Sequence, residues 1–338
     1  METIVLKFGG TSVGSTDRIS VVADLIQLAT KEAFPVVVVS AMSGETNRLI
    51  DLAQSFGSDP NKREFDALVS TGEKVSASLV AIALNQLGLK AKSLSAAQFG
   101  MKTTSHFSRA KILDMNNEIL FQTIEEGYIP IITGFQGITA EGDTTTMGRG
   151  GSDTTAVAIA ASIKAKRCDI YTDVDGIYTT DPRIVPEAKK LDSISMEEML
   201  ELSGQGAKVI QIRAVEFANK YKVLVRVLSS FEPGSGTLIL QEEEGMEDAV
   251  ITGIASQTDQ TKFTLHGVAD TPGIASGILS PISDEGIEVD VIVQNISVSN
   301  KTDFTFTVAT SDRPQVEAVL KEKMKDISYD ELIIDEAI

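Results

Sequence analysis

Cysteine is nearly missing from this 338-residue chain: Cys168 stands alone, which excludes an intramolecular disulfide framework. It reads as a small buried hydrophobe, because no base neighbours it in sequence. Basic residues are also short, 30 against 48 acidic ones, and the formal charge of −18 excludes a duplex-binding protein, which needs a surplus of Lys and Arg facing phosphates. Only 35 positions are Pro or Gly, too few for a fibrous or disordered chain. No apolar run approaches the roughly 18 residues that cross a bilayer; the longest are strand-like, such as 36–39. No membrane role is expected. METIVLKFGG lacks the charged and apolar regions of a signal peptide, so the cytoplasm is the expected location. His106 and His266 are far apart and have no cysteine companions, which argues against a zinc site, and no metal ligands are assigned. GxxxxGK[ST] is absent, as are the HRD and DFG signatures of protein kinases. The 148–151 turn fails GxGxxG, since position 153 is aspartate.

What is present is a chain able to bury a core, with 42% apolar and 23% charged residues and a length that suggests two domains. Charge is uneven: residues 1–240 hold 24 basic and 28 acidic side chains, whereas 241–338 hold 6 and 20. A boundary is expected near 241, where a turn-rich stretch (232–236) and an acidic run (242–244) read as a linker. The expected division is 1–240, a linker at 241–258, and 259–338. In the first part, short β-branched runs at 4–8, 36–40, 129–133, 169–172 and 224–228 alternate with helical spacing at about 16–32, 46–55, 63–87, 113–126, 153–165, 195–203 and 206–221. That alternation predicts an α/β domain, a largely parallel sheet sandwiched by helices, with ligands at the carboxyl ends of its strands. The last part reads βαββαβ, a ferredoxin-like order. Residues 249–255 form an additional apolar segment with no partner of its own, which needs covering either by another chain or by further sequence.

Three loops could carry chemistry. Lys7-Phe8-Gly9-Gly10-Thr11-Ser12-Val13 joins the first strand to a helix; adjacent glycines let backbone N–H groups approach an anion, and Lys7 adds a fixed positive charge. Gly148-Arg149-Gly150-Gly151-Ser152-Asp153-Thr154 leads into another helix. Ser152, Asp153 and Thr154 are good N-caps, and Arg149 can take a carboxylate bidentately. The segment 171–183 contains Asp173 and Asp175 beside Gly176 but lacks the oxygen ligands of a calcium loop. A nucleotide fits better, with Asp173 at base or ribose and Tyr178 and Arg183 flanking phosphates. Smaller signals are Ser40 with Thr46-Asn47, and Ser70-Thr71-Gly72-Glu73, where Glu73 alone reads as complementing a helix dipole.

Together these segments, in order through the first 240 residues, resemble the aspartate kinase family, and the Lys-Phe-Gly-Gly-Thr-Ser-Val start is specific to it. The resemblance implies ATP-dependent phosphorylation of the L-aspartate side-chain carboxylate to 4-phospho-L-aspartate, the first step towards lysine, threonine and methionine. It implies that Lys7, Gly9 and Gly10 cradle the transferred phosphoryl group and that Ser40 lies beside the phosphates. Thr46, Glu73, Arg149, Gly150 and Gly151 hold aspartate, with Glu73 facing its ammonium; Ser152 and Asp153 support the reacting centre from the helix start, Lys7 and Asp153 being the catalytic pair, and Phe135 belongs to another substrate-side loop. Thr172, Asp173, Tyr178, Arg183 and Lys208 hold ATP, with Mg²⁺ bound through its phosphates. The last 80 residues resemble an ACT domain, and 269–273 and 291–295 match positions near its amino-acid effector sites. The family carries two such units and this chain has one, so lysine or threonine feedback is left open, and a homodimer is expected. Two other readings are a catalytically silent amino-acid sensor and a sibling kinase acting on another carboxylate.

The chemistry agrees. A carboxylate with an unperturbed pKa near 4 is already a nucleophile at neutral pH and needs no general base. The difficulty is an anion attacking a polyanion, so positioning and cationic screening are the levers.

Overall fold

The computed structural model describes residues 2–148, 150–207, 209–241, 253–256, 259–295, 300–323 and 327–336. Two compact units divide the chain at 255/256. The first runs β1 (Thr3–Phe8), α1 (Thr16–Ala29), β2 (Phe34–Val39), α2 (Glu45–Gln54), α3 (Lys62–Val69), α4 (Thr71–Gln86) and β3 (Ala91–Leu94). It continues with α5 (Ala96–Phe99), β4 (Met101–Thr103), β5 (Ile112–Met115), α6 (Glu118–Glu125), β6 (Ile129–Thr133), β7 (Gln136–Ile138) and β8 (Thr144–Thr146). It closes with α7 (Gly151–Ser162), β9 (Cys168–Thr172), β10 (Ser193–Ser195), α8 (Met196–Gly204), α9 (Ile212–Tyr221), β11 (Val225–Ser229) and β12 (Thr237–Leu240).

Eight of these strands form one sheet, ordered β10-β12-β11-β9-β1-β2-β6-β3, parallel throughout except between β11 and β12. The near-continuous apolar runs of β1, β2 and β6 follow from burial on both faces. Alternate residues divide between two cores: Val5, Val36, Val38 and Ile170 pack with α7 and α9 on one face. Ile4, Leu6, Val37 and Val39 pack with α1 and α4 on the other. Cys168 is buried in the first core, where burial pushes its thiol well above the ordinary range.

A second, four-stranded sheet, β5-β4-β7-β8, is not apparent from the sequence, because its strands of three or four residues are too short to show a period. It corrects the helix expected over 113–126: Ile112–Met115 is strand, and only Glu118–Glu125 is helix. The helix expected at 63–87 is two, meeting at Ser70, and the one expected at 206–221 begins at Ile212. Among the described residues the stretch Lys62–Gln86 is long and apolar enough, by length and composition alone, to cross a membrane. Half of its most apolar window is buried within the unit, as in a core helix.

The second unit contains β13 (Gln260–Ala269), α10 (Ile274–Asp284), β14 (Val289–Gln294), β15 (Lys301–Ala309), α11 (Arg313–Lys323) and β16 (Glu331–Glu336). Its antiparallel sheet, ordered β14-β15-β13-β16, buries Phe263, Phe304 and Phe306 with Ile278 and Val316 of the helices. This is the expected βαββαβ order. His266 Nδ1 lies 3.0 Å from Asp303 Oδ2. Most of the additional strand expected at 249–255 lies outside the described residues. Within it, Gly253–Ala255 is not in a strand, and Ile254 N–H donates to Thr179 O at 2.8 Å.

Candidate active site

β9, β1, β2 and β6 are consecutive neighbours, so the loops leaving their carboxyl ends meet. The first is the glycine turn after β1. Gly9 N–H donates to Tyr171 O (3.1 Å), and Gly10 O accepts from Ser43 N–H (3.1 Å). A Cβ on Gly10 would stand 2.9 Å from Ala41 O, so only glycine lets this turn lie against the loop after β2. Ser40 continues that loop, its N–H donating to Phe8 O at 3.1 Å.

Lys7 Nζ lies 2.6 Å from Asp153 Oδ1, and each residue is less than a tenth exposed. The pair joins the end of β1 to the first turn of α7, bringing the two glycine-rich turns together. α7 is not capped as the sequence suggests: its N-cap is Gly150, with φ +68°, and Ser152 and Asp153 lie inside the first turn. Gly150 has to be glycine, because a Cβ would stand 1.9 Å from Gln211 Cγ. Asp153 is thereby free to hold Lys7 while sitting favourably at the helix N-terminus. Ser152 packs under Gly134, where a Cβ would stand 2.6 Å from its Oγ.

Glu73 enters from the start of α4 and is 3% exposed. Its Oε1 accepts from Ala41 N–H at 3.1 Å, while Oε2 is buried with no hydrogen-bond partner among the described residues. Burial pushes its carboxyl up to about 7, against the smaller opposing pull of its own backbone N–H and that of Ala41. A buried carboxylate lacking a partner on one oxygen calls for a cationic ligand. Thr46, half-buried on α2, belongs to the helix beside this one.

Phe135 has φ +69°, a left-handed conformation costly for a bulky residue. Its N–H donates to Thr155 Oγ1 (3.2 Å), and its carbonyl accepts from Met147 N–H (2.9 Å). The ring lies against Gly151. Sequence alone gave no sign of this constrained backbone at the substrate-side loop.

The loop after β9 carries Thr172, whose Oγ1 donates to Asp173 Oδ1 (3.1 Å), and Tyr178, whose hydroxyl donates to Asp175 Oδ1 (2.9 Å). Lys190 Nζ lies 3.2 Å from the other Asp175 oxygen. Arg183 is highly exposed and paired with Asp181 at 2.7 Å, which lowers the Asp181 carboxyl and raises the guanidinium. It has no hydrogen bond to the Lys7–Asp153 pair. Arg149 and Lys208 lie outside the described residues.

Three contributors were not anticipated. Ala41 supplies the N–H that orients Glu73, a backbone role invisible in side-chain patterns. Asp66 and Arg213 grip the chain just before the second glycine turn. Asp66 did leave a trace, as an acid on the buried stripe of the helix 63–87.

An α/β sheet whose adjoining strand ends present a lysine-armed glycine turn, a glycine-led helix start and an unsatisfied carboxylate defines a small-molecule phosphotransferase class. Residues 2–229 match the amino acid kinase family model and 264–325 the ACT domain model, and the chain belongs to the amino acid kinase family. An aspartate kinase of Pseudomonas fluorescens (strain SBW25) is 52% identical over 342 residues, covering 100% of this chain and 83% of that protein. The crystal structure of E. coli aspartokinase III in complex with aspartate and ADP (R-state) aligns with TM-score 0.83 and 28% identity, covering 98% of this chain and 87% of that one. The same enzyme in complex with lysine and aspartate (T-state) aligns with TM-score 0.77 and 29% identity, covering 99% and 85%. Within its family the chain is thus a member of the aspartate kinases.

Proposed function

We propose that the chain transfers the γ-phosphoryl group of ATP to the side-chain carboxylate of L-aspartate, giving 4-phospho-L-aspartate, the first step towards lysine, threonine and methionine. The observation that carries this reading is the Lys7–Asp153 pair beside the Gly9-Gly10 turn, with Glu73 Oε2 left unpartnered across the neighbouring loop.

Lys7 supplies positive charge where the transferred phosphoryl sits, and Asp153 fixes its Nζ so that little reorganisation is needed as charge moves onto the leaving group. Backbone N–H groups of Gly9 and Gly10, with Ser40 and Ser152, line the phosphate path. Glu73 takes the substrate ammonium, and Thr46, Phe135, Gly150 and Gly151 shape the rest of the aspartate site, with Arg149 clamping a carboxylate. Thr172, Asp173, Tyr178, Arg183 and Lys208 hold the nucleotide; Arg183 exchanges Asp181 for phosphate when ATP arrives. Mg²⁺ would enter with the ATP substrate, held through its phosphates, and would supply charge neutralisation there, while Asp153 stays engaged with Lys7.

The second unit, an amino-acid-sensing module by its family, is assigned a lysine or threonine effector and a homo-oligomeric contact. The lysine complex of the E. coli relative supports the effector class. The location proposed is the cytoplasm.

Coupled ADP release with L-aspartate, with L-glutamate and with no acceptor tests the reading. Aspartate-dependent release is expected. Release with glutamate alone identifies a sibling carboxylate kinase, and none with either identifies a silent sensor.

A further inference from the structure

Asp66 is fully buried and accepts four hydrogen bonds, all from neutral donors. Its Oδ2 takes the backbone N–H groups of Ser108 (2.8 Å) and Thr146 (2.7 Å), and its Oδ1 takes the hydroxyls of the same two residues, both at 3.0 Å. One side chain thus holds two segments about forty and eighty positions away. Thr146 ends β8, two residues before the Gly148 turn that leads to Gly150, Gly151 and Asp153. From the opposite side Arg213 of α9 donates to Met147 O (2.7 Å) and Ala110 O (3.4 Å), and Ala110 N–H donates to Thr146 O (2.9 Å).

Asp66 lies seven residues, about two helical turns, before Glu73 on the nearly continuous α3–α4 helix. At the junction Gln136 Nε2 donates to Ser70 O at 2.9 Å. Gln136 is on β7 and pairs with Thr146 of β8, so the helix that presents Glu73 is tied through β7 to the strand that feeds the second glycine turn. These are the two sides between which the amino acid is placed by the function proposed above, on which this inference rests.

We infer that Asp66 is a positioning residue: it sets the separation between Glu73 and the Gly148–Gly151 turn, and so controls binding of the amino-acid substrate while leaving the nucleotide loop alone. The loop carrying Thr172 and Tyr178 has no bond to Ser108, Thr146 or Asp66. Binding sites assembled from separate elements lose affinity when those elements drift by an ångström, which is how a residue that touches no substrate governs its KM.

The test compares full-length variants. Asp66→Leu keeps much of the bulk but removes every acceptor, leaving the two backbone N–H groups and two hydroxyls without it; Thr146→Val removes one of the four bonds. For Asp66→Leu the KM for L-aspartate is expected to rise about tenfold or more with the ATP KM within twofold, and for Thr146→Val about three- to fivefold, the scale of one lost hydrogen bond. Amide hydrogen exchange is expected to quicken at 108 and 146–148 and stay unchanged at 172–178 in both variants. Equal rises in the two KM values, or a lower melting temperature with both KM values unchanged, would overturn the inference and leave Asp66 a fold-stabilising residue. If Asp66→Leu does not fold, Thr146→Val carries the same comparison. If the wild-type protein releases no aspartate-dependent ADP, the substrate assignment fails on its own, and the exchange contrast still judges the positioning role.

Discussion

Charge lies at both ends of the large sheet, and the two ends treat it differently. At the amino ends, Asp169 of β9 is almost completely buried and saturated: Arg167 Nε reaches it at 2.8 Å, and Arg226 reaches it at 2.7 and 3.0 Å. Arg167 also pairs with Glu32 through both of its terminal nitrogens, which holds the Glu32 carboxyl down to about 2. No side-chain oxygen of Asp169 is left without a bond. At the carboxyl ends, among the described residues, Lys7 has one carboxylate partner, and Glu73 keeps one oxygen without any. A saturated network holds strands in place. An unsaturated one costs stability that only a ligand restores.

The largest effect is expected at the saturated end. Asp169→Ala strands two guanidinium groups, and removing one partner of a buried ionic network costs about 3–5 kcal/mol. Urea denaturation is expected to show that loss, while the remaining folded protein keeps its turnover. A different pattern is expected from Lys7→Ala, which cuts turnover of the folded protein roughly 10²-fold, the scale of a lost transition-state donor, and also lowers the urea midpoint because the buried Asp153 carboxylate loses its partner. Near-wild-type turnover in that variant removes Lys7 from the reaction. Least affected is Glu32→Gln: Glu32 is nearly half exposed, solvent screens its pairs, and the expected cost is under about 1 kcal/mol at neutral pH. Because its folded carboxyl is depressed, that contribution is present above the ordinary carboxylate range and fades as pH falls towards 2; a stability difference that persists at pH 2 contradicts the assignment.

Much of this contrast was legible in the sequence at the carboxyl ends and little at the amino ends. Lys7 before two glycines, and Asp153 after two more, are local patterns with a direct chemical reading, and the structure joins them. Glu73 was readable only in company, since one acid at a helix start commonly complements the dipole. Arg213 and the Asp169 network depend on contacts between distant segments, which no spacing in one chain encodes, and the place of Asp66 on a buried helix stripe shows that it is buried but not what it binds. The small β5-β4-β7-β8 sheet escaped for a related reason: three-residue strands are set by tertiary pairing. The N-cap of α7 was misassigned because Ser152 and Asp153 have the right chemistry for a cap, but the left-handed Gly150 starts the helix earlier.

The central claim is that Glu73 waits unsatisfied for a substrate ammonium. Its carboxyl, raised by burial to about 7, is mostly protonated at pH 6, and an ammonium ligand favours the ionised form. Its folded pKa lies above the unfolded value near 4.5, so the unliganded protein gains stability from this group below about 4.5 and loses it as pH rises through 7. Titration calorimetry of L-aspartate into the ADP-loaded protein at pH 6, in buffers of different ionisation enthalpy, measures the linkage directly. The account predicts release of about one proton per aspartate bound, declining towards none by pH 8 and absent in Glu73→Gln. Binding with no proton release at pH 6 in the wild-type protein would contradict it.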